Sequence, residues 1–262
     1  MADWLALVIG NTRWHWAWFD GRDLKQVWHT PHLSSQIPTD IALRAVWAKQ
    51  APPQCSHLPI ESLDIWAVSV VPPQAHYIAH LPRVYWIDRT LLRGTYPTLG
   101  LDRVATLMGA GQQYGWPVLV IDGGTALTFT AGAEGTFMGG AILLGVRSHL
   151  AALHDYTAAL PSVDPPANLP PHPWAINTPK AIQSGVLLST LASIEHFIES
   201  WQQHYLQTAV VFTGGDGAYL YQLYRQQRST KQNQALQNRT WSNPNLMFLG
   251  ICAYRSEATR LL

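Results

Sequence analysis

The chain opens with a continuous apolar run, Trp4 to Ile9. A Gly10-Asn11 turn follows, then the alternating segment Trp14-His15-Trp16-Ala17-Trp18 before Asp20-Gly21. An unbroken apolar run of this length reads as a strand buried on both faces, and alternation reads as a strand with one wetter face. The same layout recurs about half a chain later. Trp116 to Ile121 is apolar, Asp122-Gly123-Gly124-Thr125 is the turn, and Ala126 to Ala131 alternates before Glu134-Gly135. Aligning the two turns on Gly10 and Gly124 sets Val8 opposite Asp122. Two copies of one unit, each opening a half of the chain, point to an internal duplication.

Helix and strand patterns alternate through the rest of each half. The spacing predicts helices over 38–50, 74–81 and 101–114, with strands over 65–71 and 83–87. After the second copy it predicts a strand over 137–143, helices over 147–160 and 179–205, and a strand over 209–212. A helix follows Gly217, and 229–245 reads as a polar loop. A strand over 246–248 then leads into a helix beyond Gly250. The proline-rich stretch Pro161 to Pro173 reads as a surface loop. Alternation of this kind predicts mixed α/β architecture in two related halves, 1–115 and 116–262, with a nucleotide cleft between them.

Composition narrows the function classes. The 262 residues are 47% hydrophobic and 13% charged, a globular balance, and the net charge of +1 comes without a basic run. Neither nucleic acid nor an anionic membrane is expected as a partner. The apolar stretches are too short or too glycine-rich to read as membrane spans, and no signal-peptide pattern opens the chain, so the expected location is the cytoplasm. Cys55 and Cys252 lack metal-ligand spacing and read as reduced thiols. Most of the twelve tryptophans lie in the first half, where packing is the simplest use for them.

Three glycine turns follow apolar strands: Gly10-Asn11-Thr12, Asp122-Gly123-Gly124-Thr125 and Thr213-Gly214-Gly215-Asp216. Glycine lets a phosphate approach backbone amides, threonine adds a hydroxyl, and a carboxylate can hold a cation that screens phosphate charge. One such turn is an ordinary corner; three together favour a nucleotide site. There is no GxxxxGK[ST], so this is not a P-loop enzyme, and Gly109-Ala110-Gly111 sits inside a helical pattern, where it reads as close packing. Gly100-Leu101-Asp102-Arg103 sets a carboxylate and a guanidinium at the start of a helix. That pair suits a base for a substrate hydroxyl and a clamp for an anionic substrate, or simply a favourable first turn.

These pieces, with Ser69-Val70-Val71-Pro72, Gly139-Gly140-Ala141-Ile142 and Asn177-Thr178-Pro179, occur in the order seen in the type III pantothenate kinases, which the sequence resembles over nearly its whole length. The resemblance implies the actin-like ATPase (ribonuclease H-like) fold and ATP-dependent phosphorylation of pantothenate, the first step towards coenzyme A. It also implies a homodimer, a monovalent cation (potassium or ammonium), and magnesium carried with ATP. Residue by residue, it makes Asp102 the proton acceptor and sets Tyr96, Gly100, Leu101, Asp102, Arg103 and Thr178 around pantothenate. It sets Val8, Ile9, Gly10, Asn11, Thr12, Arg13, Thr125, Gly214 and Gly215 around ATP, and makes Asp122 the ligand of the monovalent cation. The sequence departs from the family at Val8, where an aspartate is usual, and at Thr130, where many relatives have a second one. Two other readings remain: a catalytically silent homologue on this fold, or a kinase of the same fold with another small hydroxylated substrate.

Overall fold

The computed structural model describes residues 3–33, 47, 49–55, 58–79, 81–229 and 239–260. The helix expected over 38–50 falls almost wholly outside them. The chain forms two compact units, Met1–Gln113 with Leu246–Leu262, and Tyr114–Asn245.

The first unit is built on a five-stranded sheet. Its strands are β1 (Asp3–Ile9), β2 (Trp14–Asp20), β3 (Asp23–Thr30), β4 (Asp64–Ser69) and β5 (Val84–Trp86), in the order β3-β2-β1-β4-β5. β1 runs antiparallel to β2 and parallel to β4. Being central, β1 buries both faces, and the two-residue period of a strand divides its side chains. Leu5, Leu7 and Ile9 pack with Trp14, Trp16, Trp28 and Trp47. Trp4, Ala6 and Val8 pack with Ala17, Phe19, Trp66 and Val68. The tryptophans therefore serve as core, and their indole N–H groups are satisfied: Trp4 donates to the Gly21 carbonyl (2.7 Å) and Trp16 to the Thr30 hydroxyl (3.0 Å).

Two α-helices follow in this half of the chain, the single turn α1 (Pro72–Ala75) and α2 (Leu101–Tyr114), and a terminal helix comes after the second unit in sequence. α2 makes its close contact through Gly109. A β-carbon there would collide with the Leu246 carbonyl, and one on Gly250 would collide with the Ala105 carbonyl. Gly109, expected to serve close packing, does so.

The second unit repeats the plan. Its strands are β6 (Val118–Gly123), β7 (Ala126–Ala133), β8 (Thr136–Leu144), β9 (Ala209–Thr213) and β10 (Thr240–Ser242), in the order β10-β9-β6-β7-β8. β6 is antiparallel to β7 and parallel to β9, as β1 is to β2 and β4. Val8 pairs across to His15 and Val68, while Asp122 pairs across to Thr128 and Thr213. The two residues thus occupy the same place in the two sheets, as the duplicated turns predict. Around this sheet lie α3 (Val146–Asp155), α4 (Thr178–Gln202) and α5 (Gly217–Ser229). α4 is long and apolar enough to cross a membrane by length and composition. Its Val186, Leu187, Leu191, Ile194 and Ile198 instead join Leu119, Ile121 and Phe129 in the core of the unit.

Three local expectations are corrected. Residues 246–248 are helical, the start of α6 (Leu246–Ala258), because a short apolar run satisfies either period and Asn243 accepts the Asn245 N–H (3.0 Å) just before the helix. One edge strand of the second unit, β10, lies inside the stretch expected to be loop; three residues are too few to show alternation. Nor does the alternation single out β3, whose outer position leaves polar side chains on both faces. α6, last in sequence, packs Phe248 and Ile251 against Trp4, Ala6 and Val8 in the first unit. Cys55 and Cys252 are buried free thiols.

Candidate functional site

In the first unit, the turn between β1 and β2 is closed by the Gly10 N–H donating to the Arg13 carbonyl (3.1 Å). Ile9 is fully buried, while Asn11, Thr12 and Arg13 are exposed at the tip. Val8 is 5% exposed and belongs to the apolar cluster, so the position that pairs with a carboxylate in the duplicated unit is filled here by hydrocarbon. Histidines surround the turn. His32 Nε2 lies 2.9 Å from the Gly10 carbonyl, and His15 sits across from Val8.

A second corner of the same unit gathers Tyr96, Gly100, Leu101, Asp102 and Arg103. The Leu99 N–H donates to the Tyr96 carbonyl (3.0 Å), and Arg89 Nε donates to the Leu99 carbonyl (2.8 Å), which folds the approach to α2. The Asp102 carboxylate turns back on its own helix end and accepts the Arg103 N–H (2.8 Å). This is the favourable place for negative charge at a helix start. Gly100 leaves room for it: a β-carbon there would collide with Asp102 Oδ1. Arg103 is only 6% exposed, and its Nη1 reaches the Tyr96 hydroxyl at 3.5 Å, a long contact. Tyr96 is 42% exposed. A buried guanidinium beside an exposed phenol and a carboxylate can bind a carboxylate-bearing alcohol and take its hydroxyl proton.

In the second unit, Asp122, Gly123, Thr125, Gly214 and Gly215 lie together. Gly214 has φ +84°. Any β-carbon there would collide with Asp122 Oδ1 and lie 2.6 Å from the Gly123 carbonyl oxygen, so the left-handed glycine brings the β9–α5 turn onto the end of β6. The Asp216 N–H donates to the Gly123 carbonyl (2.8 Å) and locks the approach. Thr125 is exposed, and its carbonyl accepts the Gly145 N–H (3.0 Å). A carboxylate oxygen and a carbonyl oxygen converging on one glycine are the hard donors a monovalent cation takes, and in that respect the site fits one. Thr130 is buried in β7, the strand next to that of Asp122, and pairs with Val120. Thr178 stands apart from these turns in sequence, at the exposed start of α4, whose Asn177 caps it by accepting the Lys180 N–H (3.0 Å).

Sequence reasoning missed two features. Arg147, at the start of α3, pairs through Nε with Asp216 Oδ1 (3.1 Å), tying the β8–α3 corner to the β9–α5 turn. Burial, and after it the nearby Asp216 carboxylate, push the Tyr219 hydroxyl up from its ordinary value. The second is the histidine group around Gly10. Its only sequence signal was the polar phase of an otherwise tryptophan-rich strand.

Comparison with known proteins places this geometry. The pattern of the type III pantothenate kinases matches residues 4–200. A type III pantothenate kinase of Synechococcus sp. (strain JA-3-3Ab) is 41% identical over 228 residues, 83% of this chain and 82% of that one. One from Thermosynechococcus vestitus is 37% identical over 260 residues, 98% of this chain and 92% of that one. Among solved structures, a Baf-family protein of Campylobacter jejuni superposes with a TM-score of 0.64 at 17% identity, covering 98% of this chain and 99% of that one. MreB 5 of Spiroplasma citri, solved with AMPPNP, superposes at 0.52 with 9% identity, covering 100% and 98%. Those two likenesses establish the α/β fold of the actin-like ATPases. The sequence match runs through both glycine turns of the duplicated unit and the Gly100–Arg103 corner, and the chain belongs to the type III pantothenate kinase family.

Proposed function

We propose that this protein transfers the γ-phosphoryl group of ATP to the primary hydroxyl of pantothenate, giving 4′-phosphopantothenate and ADP on the way to coenzyme A. The observation that carries the reading is the Tyr96–Arg103 corner, which in a chain of this family joins a carboxylate, a buried guanidinium and a phenol at one helix start. Arg103 and Tyr96 bind the pantothenate carboxylate end, with Gly100, Leu101 and Thr178 lining the substrate. The hydroxyl oxygen bonds to the γ-phosphorus, the bond to the β,γ-bridging oxygen breaks, and the hydroxyl proton passes to the Asp102 carboxylate. A positioned base of this kind contributes about 10²–10⁴-fold, and orientation and charge neutralisation supply most of the rest.

The turns at Gly10–Arg13, Thr125 and Gly214–Gly215 meet the nucleotide. Asp122 holds potassium or ammonium, which supplies counter-charge to the phosphates when bound. Magnesium comes with ATP and keeps much of its coordination in water and phosphate oxygens, so loss of the carboxylate at Val8 weakens the site without removing the chemistry. A second copy of the chain covers β8, an edge strand that exposes Met138, Ile142 and Leu144 (51%, 63% and 52%), giving a homodimer. An apolar edge of this kind is normally covered. The enzyme is expected to act in the cytoplasm.

The test is purified protein with pantothenate and saturating magnesium-ATP, with and without potassium or ammonium, read as phosphopantothenate by mass. Product dependent on all three supports the reading. Its absence from a folded protein overturns it in favour of a catalytically silent homologue, the alternative that the apolar surroundings of Val8 favour.

A further inference from the structure

The first turn poses a problem of charge. Val8 brings no carboxylate that could anchor a divalent cation against the polyphosphate. What the structure holds instead is a group of bases. His15 and His29 are cross-strand partners on β2 and β3, with ring centroids 4.7 Å apart, edge to face. His15 is also the partner of Val8, so all three side chains lie on one face of the sheet. The His15 ring lies against the turn: a β-carbon on Gly10 would meet its Nε2 at 3.3 Å. His32 holds the turn from its other side, Nε2 donating to the Gly10 carbonyl (2.9 Å) in the tautomer that carries the proton there.

The charges acting on His15 among the described residues are those of His29 and Arg13, both positive. After burial, which comes first, they take it down to about 4. Burial, and then Arg13, lower His29 as well. Among the described residues, the carboxylates on the other elements of this face are engaged by partners of their own. β1 contributes Val8 and β4 contributes Val68, and Asp64 at the far end of β4 is paired with Arg83 (2.8 Å). Of the helices, α6 carries Cys252, Tyr254, Arg255 and Glu257: Arg255 covers Trp4 at the opposite end of β1, Glu257 pairs with Arg260 (3.1 Å), and Tyr254 donates to Asp88 (2.8 Å). α2 carries Asp102, whose carboxylate is turned onto the Arg103 N–H, and Arg103. Bases in such surroundings stay neutral in the free protein and gain charge when an anion comes beside them.

We propose that His15 and His29, with Arg13, form a polyphosphate-binding cluster that takes up protons as the nucleotide binds, supplying at the first turn the positive charge that a carboxylate-held divalent cation supplies elsewhere. This rests on the nucleotide reading of the Gly10–Arg13 turn given above. The sign follows from linkage: the free protein holds His15 neutral, bound phosphate favours its charged form, and binding therefore strengthens as pH falls. Returning one histidine from about 4 to its ordinary 6.5 makes magnesium-ATP bind about fourfold tighter at pH 6 than at pH 8, with about a quarter of a proton taken up at pH 7.

The experiment is calorimetric titration of magnesium-ATP into the full chain in two buffers of different ionisation enthalpy at pH 7, and its affinity from pH 6 to pH 8. The same is done for His15→Gln/His29→Gln, which keeps polar groups of similar reach that cannot titrate. The wild type should show the uptake and the fourfold change, and the variant neither. A wild type with no proton uptake, a variant that takes up as much as the wild type, or no magnesium-ATP binding at all overturns the proposal. The wild-type result stands even if the double variant fails to fold. Phosphopantothenate is assayed separately: turnover without proton-linked binding removes this inference and leaves the kinase reading, and proton-linked binding without turnover does the reverse.

Discussion

Restoring the family's usual carboxylate by Val8→Asp should damage the protein rather than improve it. Val8 is 5% exposed, on a central strand, among Ala6, Val68, Phe19 and Ile251. Deleting its two methyl groups as Val8→Ala should cost about 1.5–2.5 kcal/mol in lost burial and residual cavity. The aspartate variant loses the same contacts and also buries a carboxyl. The cross-strand neighbour that could pair with it, His15, is itself held neutral near neutral pH, with its value lowered to about 4. A total of about 3–5 kcal/mol is therefore expected, a fall in Tm of about 6–15 °C for a chain of this size. The pH dependence separates charge from volume. The new carboxyl has its folded-state value raised by burial, so its contribution is least harmful at low pH and worsens as pH rises through that value. Thermal unfolding of wild type, Val8→Ala and Val8→Asp at pH 5 and pH 8 tests this. A deficit for Val8→Asp no larger than that for Val8→Ala at pH 8, or one that shrinks as pH rises, would refute the claim that the pocket has closed around hydrocarbon.

Other substitutions probe the remaining parts of the site and fold. Asp102→Asn should lower kcat by about 10²-fold or more, with pantothenate affinity and Tm nearly unchanged; retention of more than about a tenth of the turnover would exclude Asp102 as the base. Asp122→Ala should abolish activation by potassium and ammonium, measured as the ratio of rates with and without the cation, and an unchanged ratio would move the cation elsewhere. Ile142→Asp, on the exposed edge strand, should shift the mass in sedimentation or light scattering from dimer to monomer; a dimer that persists unchanged would assign the interface to another face. Gly250→Ala, which forces a methyl group against the Ala105 carbonyl, should cost about 1–3 kcal/mol in denaturant unfolding, and a loss below about 0.5 kcal/mol would contradict the close helix contact.

The duplicated unit could be read from residue order because a strand, a glycine turn and a second strand are local events, each carrying its own periodicity and punctuation. The match of Val8 with Asp122 followed from that alignment alone, and the two sheets repeat it pair for pair. The Gly100–Arg103 corner was also legible, since a helix start is written in consecutive residues. Tertiary structure decided what depends on residues distant in sequence. β10 exists because β9 offers it an edge, and the three residues Thr240-Trp241-Ser242 announce nothing without that partner. α6 joins the first unit because Phe248 and Ile251 complete the face of β1, although the helix follows the second unit in the chain. The histidine group at the first turn arises because β3 sets His29 against His15 and the chain beyond it returns His32 to the Gly10 carbonyl. Periodicity tells which side of a strand a residue takes. Which charges it meets there is set by the strands and turns that fold against it.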